Sequence, residues 1–235
     1  MTDQTAPRST SVSAPADLKA RLKASYDAIA PKYNEWTVPH SAVRLRYLDI
    51  LLARLPAAPA PAAVLELGCG HGVPVTEKLL ARPGFTVTAN DLSSAQIALA
   101  RAALRPDPPG RLTLIEGDML ALDIPKESLD AIVGMYSIIH LPRDEQVAML
   151  GKIAGWLKPG GWMLVNFGTE ASEGSEEREW LGEGQGWMYW SGWGAEGSLE
   201  KVKEAGLEVV LQEETEDATD ADFLWVLARK PVPEA

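Results

Sequence analysis

Cysteine is nearly absent from this chain: Cys69 is the only one in 235 residues. An intrachain disulfide is therefore excluded, and a reducing cytoplasm is the expected setting. Long apolar runs are missing too. No stretch reaches the length of a membrane span and no basic-then-apolar leader is seen, so no membrane partner is expected. Positive charge is scarce, with 22 Lys and Arg against 33 Asp and Glu, a formal net charge of -11. Nucleic-acid affinity comes largely from neutralising phosphates, and no Lys/Arg cluster offsets the imbalance, which argues against DNA or RNA. The three histidines and Cys69 do not converge by spacing on a metal site.

What is present is an ordinary hydrophobic fraction, 46%, enough for the core of one domain with an insert. Residues 1–16, rich in Thr, Ser, Ala and Pro, lack periodicity and read as a flexible tail. Over 17–57 the spacing of Leu18, Leu22, Tyr26 and Ile29 predicts a helix that stops near Pro31, and a second follows from about 41 to 55. Together they are expected to form an N-terminal helical cover. A core is expected over 58–230, with a short tail at 231–235. Within it "AVLEL", "FTVTAN", "RLTLIE", "LDAIVGM" and "GWMLVNF" read as strands, separated mostly by helices near 74–81, 94–104 and 143–157. That rhythm predicts βαβ units and a largely parallel sheet. Residues 168–197 break it without a convincing strand, which suggests a functional insert. Ser198 is the expected cap of the next helix and Gly206 its stop, before a hairpin of "LEVVLQ" and "FLWVLAR".

The sharpest motif is "VLELGCGHG", residues 64–72. A hydrophobic strand ends at Leu67, and glycines at 68, 70 and 72 let a ligand approach the backbone ahead of a helix N-terminus. The dinucleotide fingerprint needs Gly or Ala three residues after its second glycine, where Val73 stands, and no Gly-Lys-Ser/Thr follows. Phosphate binding is thereby demoted. Acids stand at three successive strand ends. Asp91 could accept from two ribose hydroxyls, Asp118 from an exocyclic amine beside the apolar Met119, and Glu66 could meet an ammonium directly or through the backbone it orders. The alternative for each acid alone is service to its own turn or strand end. As a set they suit a ligand with hydroxyls, an amine and a positive charge.

With "YDAIAPKYNEW", "ANDLSSAQI", "IEGDML", "LDAIVGMYSIIHL" and "WLKPGGWMLVNF" in this order, the chain resembles the class I S-adenosylmethionine-dependent methyltransferases, closely over about 24–167. The resemblance implies an α/β fold: a Rossmann-like seven-stranded mixed sheet, helices on both faces, and an antiparallel last strand beside the sixth. It also implies roles. Gly68, Cys69 and Gly70 would lie against the methionyl moiety of S-adenosylmethionine with Glu66 organising the loop. Asp91 would hold the ribose, Leu92 flank the adenine, and Asp118 with Met119 take its amine and ring. Met135 and Tyr136 would line the remaining wall, while Tyr26 and Tyr33 match aromatics of the family's helical cover. The resemblance tolerates Asn90 before the ribose acid.

A sulfonium-bound methyl is already activated, so an enzyme of this kind must chiefly align an acceptor and exclude water. His140 is the candidate base, with a structural role in its own loop as the alternative. His71 reads as scaffold, His40 as surface, and Cys69 as a packed thiol. No Asn-Pro-Pro-Tyr or Asp-Pro-Pro-Tyr follows the fourth strand, where "GMYS" stands, which favours a small-molecule acceptor over nucleic acid or protein amide. A cofactor-binding regulatory or assembly protein without turnover is the alternative. The insert carries four of the chain's eight tryptophans, Trp180, Trp187, Trp190 and Trp193. Its position after the fifth strand makes it a candidate substrate lid, with Trp187, Tyr189 and Trp190 as acceptor walls. A secondary core beneath the cap, or a face packed on the second subunit of a homodimer, are the other readings of these rings.

Overall fold

The computed structural model describes residues 12–57, 60–106, 108–216 and 221–233, so most of the N-terminal tail, at 1–11, and the end of the C-terminal one, at 234–235, lie outside the described residues. Helix α1 (Leu18–Thr37) turns Leu18, Leu22, Ser25, Ile29 and Ala30 inward. It does not stop near Pro31. That proline is exposed, so the break it makes in the backbone ladder lies on the solvent side. Tertiary bonds hold the next turn, where Asn34 Nδ2 donates to Gln96 Oε1 at 3.0 Å. Helix α2 (Ala42–Leu52) follows, its Tyr47 stacked on Trp225 at 4.4 Å.

Strands β1 (Ala62–Leu67), β2 (Phe85–Asp91), β3 (Leu112–Glu116), β4 (Leu129–Gly134) and β5 (Leu157–Gly168) are joined mainly through α3 (Val75–Leu80), α4 (Ser94–Ala103) and α5 (Arg143–Trp156). A two-strand hairpin, β6 (Ala171–Arg178) and β7 (Trp187–Trp193), precedes α6 (Gly194–Glu204), β8 (Glu208–Glu216) and β9 (Asp222–Arg229). The main sheet runs β3-β2-β1-β4-β5-β9-β8. Its first five strands pair in parallel, and β9 lies antiparallel between β5 and β8. This is the seven-stranded mixed sheet the sequence implies.

Period-two alternation splits β1 between two cores. Ala62 and Val64 face the cluster with Leu48, Leu51, Leu79 and Ile97; Leu65 and Leu67 face Met149, Leu150, Ile153 and Val202. Helices therefore cover both faces. A third cluster joins α1 to the hairpin through Leu18, Leu22, Ile29, Trp187, Met188 and Tyr189.

Two expectations fail after β5. The stretch 168–197 contains paired strands, with Glu176 opposite Tyr189 and Arg178 opposite Trp187. Strand β7 is buried along nearly its whole length, so it shows a continuous apolar run instead of alternation. Ser198 is not a cap: α6 begins at Gly194, and Ser198 is buried inside the helix. Gly206, at φ +82°, does stand just past its end.

Candidate active site

The strand order reverses between β1 and β4, and the carboxyl ends there open a crevice of the kind that binds ligands in open α/β sheets. The glycine turn leaves β1 at that point. Gly68 has φ +70°, and a Cβ on it would collide with Ser137 Cβ; Gly70 follows at φ +56°. Only glycine fits both the conformation and the space at 68.

Asp91 ends β2 and fixes this turn. Its Oδ2 accepts from Gly70 N and its Oδ1 from Ser93 N, both at 2.8 Å. Burial raises the carboxyl to about 6, against the pull of the two backbone bonds. Neighbouring Asn90 donates to the carbonyls of Ile115 and Gly117 at 3.1 and 2.9 Å, tying β2 to the end of β3. There Asp118 accepts from Leu120 N at 3.0 Å and from Lys19 Nζ at 2.6 Å. Lys19 also reaches Glu145, so α1 is fastened over the crevice. Tyr136, after β4, holds φ +54°, and its N–H donates to Asn166 Oδ1 at 2.6 Å.

A first cavity of about 90 Å³ is lined by Tyr26, Tyr33, Gly68, Gly70, Asp91, Leu92, Asp118, Met119, Met135, Tyr136 and His140. The structure thus brings eleven of the proposed cofactor and catalytic positions together. Glu66 and Cys69 are placed behind the turn, outside this lining. Glu66 shares the β1 face of Val64 and accepts from Thr76 Oγ1 at 2.5 Å; burial raises it to about 8. Burial also pushes the Cys69 thiol up, which leaves little thiolate.

A second cavity, of about 300 Å³, adjoins the first. Tyr26, Tyr33, Tyr136 and His140 line both. Trp36, His40, Arg44, Trp180, Trp190 and Phe223 complete much of its wall. His40 is therefore not simply a surface residue: its Nδ1 lies 2.7 Å from the Trp36 carbonyl.

His140 is held at both nitrogens. Nδ1 is 2.8 Å from the Tyr189 carbonyl, which can only accept, so Nδ1 carries the proton and Nε2 accepts from Tyr26 Oη at 2.9 Å. Burial lowers the imidazole to about 4, keeping it neutral.

The hairpin residues divide. Trp190 lines the second cavity beside Trp180, 6.2 Å away. Trp187 does not: its N–H donates to Ser25 Oγ at 2.7 Å, its indole N–H to Glu176 Oε2 at 3.1 Å, and Arg21 lies 3.8 Å over its ring. Tyr189 is buried, with its hydroxyl donating to the Glu173 carbonyl at 3.1 Å. These two rings belong to the core beneath the cover.

Sequence reasoning passed over Lys19, Gln96, Ser137, Trp36 and Arg44. Lys19 had one signal, its seven-residue spacing from Tyr26 on the same helical face. The others come from loops and helices whose meeting is set by tertiary folding.

A family model described as a methyltransferase domain matches residues 64–161, from the glycine turn to the start of the last parallel strand. The chain has the fold of the class I S-adenosylmethionine-dependent methyltransferases and is similar to their domain over that segment. A sterol 24-C-methyltransferase of Gibberella zeae is 29% identical over 70% of this chain and 44% of its own length. The chain spans less than half the length of the first curated relatives it matches. A 1,6-didemethyltoxoflavin-N1-methyltransferase of Burkholderia thailandensis superposes with a TM-score of 0.71 at 20% identity, covering 94% of this chain and 92% of that one. The [4+2]-cyclase SpnF superposes at 0.70 and 20% identity over 96% of this chain and 100% of that one. These structural likenesses show the fold.

The cofactor of this fold family is S-adenosylmethionine, and the residues here fit it. Buried Asn90 Oδ1, Gln96 Nε2 and Ser137 Oγ, all in residues lining the first cavity, have no hydrogen-bond partner among the described residues. An acceptor, a donor and a hydroxyl left open beside Asp91 suit a ligand bearing hydroxyls and amines. Among the described residues no helix is long and apolar enough to cross a membrane.

Proposed function

We propose that this chain transfers the methyl group of S-adenosylmethionine to a small, moderately hydrophobic acceptor by direct in-line displacement. One observation carries the reading: the Tyr26–His140 pair stands in the wall shared by two adjoining cavities, one beside the glycine turn and one walled by tryptophan. The cofactor supplies an electrophilic methyl on sulfonium. Asp91 would receive the ribose hydroxyls, Asp118 and Met119 the adenine, and the backbone at Gly68 and Gly70 the methionyl end. Glu66 and Cys69 would act from behind, by shaping that turn.

In the second cavity Trp180 and Trp190 orient the acceptor and exclude water. An acceptor hydroxyl or amine next to Tyr26 would pass its proton to the phenol oxygen as that hydroxyl releases its own to His140 Nε2. Neutral His140, fixed through Nδ1, has its lone pair aimed for this. Trp187 and Tyr189 support the wall without touching the acceptor. The acidic charge and the enclosed aromatic site favour a small molecule over nucleic acid, and the unpaired Cys69 suits a cytoplasmic setting.

A second reading is a chain that binds the cofactor without transferring its methyl. The likeness to a cyclase over nearly the full chain keeps it in play. Incubation with methyl-labelled S-adenosylmethionine and a metabolite library, with tRNA as a parallel arm, separates these readings. Labelled small product in step with S-adenosylhomocysteine supports transfer. Cofactor binding with no labelled product supports the second reading, and label in tRNA alone overturns the small-molecule class.

A further inference from the structure

We propose that the second cavity selects acceptors bearing a carboxylate, read by Arg44, on an aromatic body held by the tryptophans. This rests on the reading of that cavity as the acceptor site. Arg44 projects from α2 into the cavity wall. One Nη donates to Thr37 Oγ1 at 2.6 Å, and the guanidinium carbon lies 4.9 Å from the centroid of the Tyr136 ring. Its Nε is buried and has no hydrogen-bond partner among the described residues. No ion pair with a described carboxylate closes it.

Other arginines show the contrast. Arg46 is satisfied by both oxygens of Glu213, at 3.0 and 2.9 Å, and Arg143 pairs with Glu173. Arg44 feels Glu66 only as a longer-range attraction, so its Nε keeps a strong donor with no acceptor among the described residues, and a planar guanidinium matches a carboxylate in shape and charge. The other acid or base of full charge in this lining is Glu177, exposed on β6. Water screens that carboxylate, while Arg44 acts where the dielectric is lower. A cation held by the aromatic rings would face Arg44 repulsion. An anion gains from it.

The rings set the body. Trp36 and Trp180 meet edge to face at 5.8 Å, and Trp180 and Trp190 at 6.2 Å, around a volume of about 300 Å³. One or two fused aromatic rings fill such a space and can stack or meet the tryptophans edge-on.

The test is calorimetric titration of the full chain, with S-adenosylhomocysteine present, against 2-naphthoate, 2-naphthol and 2-naphthylmethylamine. These probes share a ring body and differ in charge. The naphthoate is expected to bind about tenfold or more tightly than either of the others, from one charge-assisted pair. Arg44→Met should remove that margin while leaving naphthol binding within about twofold, and Arg44→Lys should keep part of it, since it retains charge without the fork. Thermal unfolding and S-adenosylhomocysteine affinity in the same samples report on the fold; if Arg44→Met fails to fold, the wild-type ranking and Arg44→Lys decide. An amine that binds as tightly as the carboxylate, or a margin unchanged in Arg44→Met, overturns the carboxylate proposal and leaves the acceptor cavity standing. Failure of all three probes with S-adenosylhomocysteine bound normally overturns the acceptor-cavity reading and this proposal with it.

Discussion

Tyr26 Oη and His140 Nε2 lie 2.9 Å apart, and the imidazole's other nitrogen is spent on the Tyr189 carbonyl. The hydroxyl therefore donates and the ring accepts, a fixed direction for proton movement. Tyr26→Phe and His140→Gln should each lower kcat by about 10²-fold. Groups that work as a unit fail together, so the double variant should fall no further than the weaker single one. Steady-state rates for the four proteins check this, with cofactor affinity expected within about threefold throughout. Multiplicative losses would show that the two act independently.

The same histidine makes acid sensitivity. Burial lowers it from 6.5 to about 4, so between these values the unfolded chain takes up a proton that the folded chain refuses. Its stabilising contribution is complete above the unfolded value and is lost as pH falls through about 4, on the order of 3 kcal/mol in all. Urea midpoints from about pH 7 to about pH 4 should drop more steeply in the wild type than in His140→Gln.

Asp91 shifts the other way. Burial raises it from 3.8 to about 6, so in the ligand-free chain its stabilising contribution is present below the lower value and lost as pH rises through the upper one. Ribose hydroxyls donate to the ionised form and would pull a proton off. Cofactor affinity should therefore weaken as pH falls through about 6, with proton release on binding near that pH. Titrations in buffers of different ionisation enthalpy count that proton, and Asp91→Asn should abolish the release and weaken binding about tenfold or more.

Two tryptophans three residues apart should behave differently. Trp187 is 9% exposed and packed under α1, so Trp187→Ala should cost about 3 kcal/mol or more of stability. Trp190, at the cavity wall, is only partly buried. Trp190→Ala should cost less stability and chiefly raise the acceptor KM, as chemical denaturation and acceptor titration would show together.

The parallel sheet was legible because its strands sit between helices of clear period and end on diagnostic acids. Asp91, Asp118 and the glycine turn could be placed for the same reason. What escaped the sequence depended on distant packing. Pro31 predicts a helix end, yet its exposure lets α1 continue to Thr37. The run Trp187–Trp193 hid a strand because both of its faces are buried, which removes the alternation that reveals strands. Arg44 was invisible as a site residue, since nothing in "AVRLRY" distinguishes an arginine turned to a cavity from Arg46 turned to Glu213.

The bond from Trp187 N to Ser25 Oγ and the shared cluster around it couple helix and hairpin into a single shutter over two chambers. Neither chamber would then open without the other. Entry of fresh cofactor, departure of spent cofactor and exchange of acceptor would then run on one clock, so that loosening this seam quickens every passage by a common factor.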